Sequence, residues 1–157
     1  MLSHKTDPYE QDFYAWVNLQ ITLLKAGKNH EIDAKHLIEE LEEMGKSNVR
    51  ELESRFIILI AHLLKWQFQL TSLSIQWQDF EGKSWRNTII EQRVRILRLL
   101  RKIPSLKHEL NNAVADAYPD ALSLASKETK LSEATFPATC PYTIAQLLDD
   151  NFYPNNS

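Results

Sequence analysis

The chain has 157 residues, a length for one compact domain that can bury a core unaided, and its single cysteine, Cys140, excludes a disulfide framework or a Cys-rich zinc module. With 43% hydrophobic and 10% aromatic residues and only three glycines, the composition is globular and excludes a disordered chain or a fibre. The 18 Lys and Arg against 21 Asp and Glu leave a net charge of −3, which excludes a globally basic nucleic-acid coat.

Met1 to Glu10 shows no apolar run of the signal-peptide kind. The longest mostly apolar stretch, Phe56 to Leu64, is interrupted by His62 and is too short to span a bilayer. A soluble, cytoplasmic protein without a membrane partner is therefore expected.

Breaker residues are few, and no Asn-Gly or Asp-Gly hairpin signal occurs, so the chain reads as all-α. Asp7-Pro8-Tyr9-Glu10 opens a first helix near 8–26, stopped by Gly27, with Phe13, Trp16, Val17, Ile21 and Leu24 as one core-facing stripe. Asp33 caps a second helix. Ile38, Leu41, Gly45, Val49, Leu52, Phe56, Leu59, Leu63 and Trp66 step by three or four, so one apolar seam runs in phase through Gly45. Continuity implies a very long rod in which Gly45 admits a closely approaching helix. The alternative is a C-terminal stop at Gly45 and a fresh cap at Ser47.

In 71–83 the helical period fades, and Leu73, Ile75 and Trp77 alternate with polar residues, which predicts a loop. Ser84 then caps a helix to about Ile103, with Trp85, Ile89, Ile96, Leu97 and Leu100 inward, and Pro104 ends it. A further helix runs to about Thr129 with Pro119 inside it and Leu106, Leu110, Ala113, Ala117, Ala121 and Leu124 as its stripe. Thr143 to Gln146 forms a capping box for a short last helix. The expected fold is one helical domain over 1–157, with loose ends at 1–7 and 154–157. It has a four-helix bundle-like core, one very long second helix and a short C-terminal helix.

Several stretches together carry a resemblance: Asp12-Phe-Tyr-Ala-Trp16, His36-Leu-Ile-Glu-Glu-Leu-Glu-Glu-Met-Gly45, Ala61-His-Leu-Leu-Lys-Trp-Gln67, Ser84-Trp-Arg86 and Cys140-Pro-Tyr-Thr143. In this order, and with Leu52-Glu-Ser-Arg55, Glu91-Gln-Arg93 and Gln146-Leu-Leu-Asp149, the chain resembles the bacterial domain-of-unknown-function family numbered twenty-nine from about Tyr9 to Pro154. The resemblance implies a small all-helical protein of no established activity and carries over no catalytic residue. The 71–83 stretch is where the chain departs from the family pattern.

Charge is segregated. Glu31 to Glu53 holds eight acids against Lys35, Lys46 and Arg50, a balance of −5. Lys83 to Lys107 holds eight bases against Glu91 alone, a balance of +7, and carries five of the seven arginines. One account pairs the two rims within the bundle. The other makes a basic face of Arg86, Arg93, Arg95, Arg98 and Lys102 that meets phosphates or an acidic partner.

Arg55 and His62, seven residues apart on one helix face, resemble in spacing the arginine–histidine signature of helical ribonucleases, in which one group holds phosphate while the other moves a proton. The plainer account is an ion-paired arginine and a hydrogen-bonded bundle histidine. His36 with Glu39, Glu40 and Glu43 lacks the second helix and order that a di-iron bundle needs, so no metal is expected. Cys140 has no histidine nearby in sequence and reads as a buried thiol that pins the C-terminal segment. Three separated glycines supply no phosphate loop, and no nucleotide cofactor, indeed no cofactor, is expected. The leading expectation is a non-enzymatic interaction module that binds a protein partner or forms a homo-oligomer. The alternatives are a metal-independent ribonuclease using Arg55 and His62 and a nucleic-acid binder acting through 83–107.

Overall fold

The computed structural model describes residues 7–70, 73 and 75–155. Among them every regular element is helical: α1 Pro8–Gln11, α2 Phe13–Lys25, α3 Ala34–Phe68, α4 Ile75–Lys102, a 3-10 segment Pro104–Glu109, α5 Leu110–Thr129, a 3-10 turn Glu133–Thr135 and α6 Ile144–Leu148. The all-α class, the very long rod and the short last helix are as the sequence indicates, and α3, α4 and α5 pack in bundle fashion. By its contacts the chain divides into two compact units, Met1–Lys46 and Ser47–Ser157, with the boundary inside α3.

In the first unit the predicted first helix is two. Asp7 accepts from Tyr9 N at 3.1 Å and caps α1, while Asp12 leaves helical geometry at φ −148° and accepts from Ala15 N at 3.0 Å to start α2. A second capping carboxylate so close to the first restarts the helix. Gly27 adopts φ 72°, which only glycine takes without strain, and the Lys28 amide closes onto the Leu23 carbonyl at 2.9 Å. Of the predicted α2 stripe only Trp16 is buried, joined by Gln20; Phe13, Ile21 and Leu24 are 43–48% exposed. So few apolar groups in a unit this small leave most of the stripe with nothing to pack on.

α3 runs unbroken through Gly45, and the seam splits there. Leu52, Phe56, Leu59 and Leu63 are fully buried against α4 and α5, whereas Ile38, Leu41 and Met44 are 55–65% exposed. No described atom lies within 4 Å of a Cβ added at Gly45, so the close approach expected there is not made within the described residues. Register keeps a helix in phase; burial needs a neighbour, and the first unit supplies none to this face.

In the second unit α4 begins at Ile75, nine residues before the predicted cap at Ser84. Leu73, Trp77 and Phe80 also step by four and three, a helical stride that the apparent alternation concealed, and the Trp77 and Phe80 rings meet edge to face at 6.1 Å. The loop expectation for 71–83 thus fails from 75 onward, and Thr71, Ser72 and Ser74 lie outside the described residues. Ile89, Ile96, Ala113 and Ala121 sit in the core as read, and Pro119 stands inside α5. Thr143 and Gln146 form both halves of the predicted capping box. Of the expected loose ends, Asp7 is a cap and Pro154 is buried, while 1–6 and 156–157 lie outside the described residues.

Candidate functional site

The basic segment of α4 separates by helix face into different environments. Arg93 is 1% exposed. Its Nε donates to the Leu147 carbonyl at 2.9 Å and Nη2 to the Gln146 carbonyl at 3.2 Å, so it caps the end of α6. It therefore does not belong to an exposed basic face. A guanidinium buried this far is held by hydrogen bonds and by the nearby Asp149 and Asp150, and desolvation lowers its pKa. Arg86 lies over the rings of Trp66 and Tyr153 at 5.8 and 5.1 Å, and Arg95 is paired with Glu91 at 2.8 Å. Only Arg98 and Lys102 keep the predicted company, lining a small cleft of about 160 Å³ with Arg95 and Glu51.

A different face of α4 is apolar. Ile90, Val94, Leu97 and Arg101 step by four, three and four; Ile90 is 47% and Val94 56% exposed. Val94, Leu97, Leu110 and Leu148 line a groove of about 490 Å³ with Arg101 and Lys107 at its edge. Sequence reasoning placed Leu97 inward and missed the groove, because its walls come from three elements distant in sequence.

Arg55 and His62 are both half-buried, and among the described residues Arg55 Nε is enclosed without a hydrogen-bond partner. His62 Nδ1 faces the Ile58 carbonyl at 2.8 Å, which makes it the protonated nitrogen. Burial, with help from the charge of Lys65, lowers its pKa to about 4. An imidazole neutral throughout the physiological range has no second proton to give a leaving group.

Two further arrangements carry titratable groups. In the first unit His36 sits between carboxylates, with Nδ1 at 2.6 Å from Asp33 and Nε2 at 3.2 Å from Asp7, and Tyr9 stacks on its ring at 4.1 Å. Hydrogen bonding to Asp33 raises the His36 pKa. Burial pushes Asp33 up, but the bonds from His36 and from Trp16 Nε1 at 3.0 Å prevail and lower it. Tyr9 donates to Glu40, which pushes its pKa up to about 12. The ligand atoms of Asp7, Asp33 and His36 lie within 4.8 Å of one another, a spacing that suits a metal. Both ring nitrogens are turned to carboxylates, so when protonated the ring would itself fill the cationic place. Asp33 was legible as a helix cap, but neither its pairing with His36 nor the approach of Asp7 gave a signal in the sequence.

In the second unit the buried Lys65 pairs with Glu128 and lies 5.9 Å from the Trp85 ring. Cys140 Sγ faces the Tyr142 carbonyl at 3.6 Å beside a cavity of about 510 Å³ lined also by Tyr118 and Pro119. Burial raises its pKa, which keeps it a thiol and a weak nucleophile at neutral pH.

A family model described as Domain of unknown function DUF29 matches residues 8–153. No curated protein and no solved structure matches the chain.

Proposed function

The chain belongs to the DUF29 family, and we propose that it acts as a non-enzymatic helical interaction module, binding a protein partner or a second copy through oppositely charged helix faces. The observation that carries this reading is the coincidence of segregated charge with uncovered apolar side chains. Ile38, Leu41 and Met44 stand exposed on the stretch whose balance is −5, and Ile90 and Val94 stand exposed on the stretch whose balance is +7. Exposed apolar residues rimmed by charge are the usual composition of a docking surface.

The chemistry of the remaining groups supports the same direction. A ribonuclease built on Arg55 and His62 needs an imidazole that exchanges protons near neutral pH, and burial pushes the His62 pKa down to about 4, which makes it a weak base there. A phosphate-binding ridge loses Arg93 to the core and Arg95 to Glu91. The test is affinity capture from native lysate together with light scattering. The reading expects a stoichiometric partner or a mass above the monomer; a monomer that recovers no partner contradicts it.

A further inference from the structure

The groove on α4 has the chemistry of a receptor for an acidic amphipathic helix: an apolar floor of Val94, Leu97, Leu110 and Leu148 edged by Arg101 and Lys107. Glu109 and Asp149 adjoin the floor residues Leu110 and Leu148 in sequence, and Asp149, with Asp150, acts on Arg93. A helix of the complementary kind is present in the chain itself. Ile38, Leu41 and Gly45 fall on one stripe of α3, Met44 borders it, and Glu42 stands one turn after Ile38. Ile38, Leu41 and Met44 on that stretch are exposed.

Resting on the interaction reading above, we propose that the groove receives the 38–45 stripe of α3 from a second copy of this chain. Ile38, Leu41 and Met44 enter the apolar floor, and glutamates beside them meet Arg101 and Lys107. Charge selects this pairing over its rivals: stripe against stripe sets the glutamates of 38–45 on their own kind, and groove against groove brings two basic edges together, whereas stripe in groove joins those glutamates to Arg101 and Lys107. Gly45 supplies an independent indication. A glycine inside a helix costs about 1 kcal/mol relative to alanine, and no described atom lies within 4 Å of its missing Cβ. The open space lies on the stripe, where an incoming helix would come closest. Such a contact joins two different surfaces, so it closes as a dimer when reciprocated and runs on as a chain when it is not.

Two substitutions on exposed positions test this without touching the core. Sedimentation velocity is run on wild type, Leu41→Glu and Val94→Glu from micromolar to submillimolar concentration, with circular dichroism confirming unchanged helix content. The proposal expects wild type above the monomer mass, weakening as salt is raised, and each variant alone self-associating at least about tenfold more weakly. Mixing the two variants must restore association, since one retains an intact stripe and the other an intact groove. A monomeric wild type overturns self-docking, and the broader reading then stands or falls on whether capture recovers a different partner. Association untouched by Val94→Glu, or variants that fail to complement, also overturns it.

Discussion

Arg93 and Val94 are neighbours on α4 and meet opposite surroundings: Arg93 is 1% exposed and bonded to the Leu147 carbonyl at 2.9 Å, while Val94 is 56% exposed and lines an apolar groove. One helix thus spends a charge inside and leaves an aliphatic group in water. The first choice anchors the C-terminal segment; the second belongs to the groove proposed above to receive the 38–45 stripe.

Removing the anchor should loosen that segment. Arg93→Met leaves the Gln146 and Leu147 carbonyls without their donors and is expected to destabilise the chain by about 2–3 kcal/mol. Arg93→Lys should recover less than half, because an ammonium cannot reproduce the planar fork that reaches both carbonyls. Urea unfolding of both variants checks this, and equal stabilities for wild type and Arg93→Met would refute the anchoring role.

The depressed pKa of His62 fixes a sign for the acid limb. Between the unfolded value of 6.5 and the folded value of about 4 the unfolded chain binds a proton that the native chain refuses. Stability therefore falls as pH drops through this window, by about 2–3 kcal/mol in all, and levels for this group below it. His62→Gln should flatten that slope in melts taken from pH 7 to 4. His36, whose pKa is raised, acts in the opposite sense: its contribution is complete below 6.5 and lost as pH rises through its folded value.

Gly45→Ala is expected to stabilise the isolated chain by about 1 kcal/mol, because the position is helical and open to a methyl group. A melt at low concentration reads this gain. No change, or a loss, would mean that the position is strained in a way its backbone does not show.

Lys65 is buried and faces Glu128, whose side chain is 43% exposed. Glu128→Ala strips the ammonium of its partner and should cost about 1–3 kcal/mol, while Lys65→Met, which removes the charge and keeps the volume, should be close to neutral. Chemical denaturation of the pair of variants separates the two effects; equal losses in both would contradict the assignment.

Much of this architecture was legible because helix signals are local. The capping box at Thr143, the stop at Gly27 and the in-phase seam through Gly45 each depend on residues within a few positions of one another. What the chain order concealed is which stripes find neighbours. Periodicity gave Leu41 and Leu59 the same standing, yet one is 64% exposed and the other fully buried, since burial depends on elements distant in sequence. The helical start of α4 was missed because three alternating residues fit two periods at once. Among candidate site residues, counting charges found the basic helix, but only geometry shows that Arg93 faces inward and that Asp7 completes the His36 cluster.

The most direct test of the account is hydrogen exchange measured at two protein concentrations. If the stripe enters the groove of another copy, backbone amides over 38–45 and over 94–101 should both be protected as concentration rises, with 52–66 unchanged. Protection that is the same at both concentrations across 38–45 would contradict it.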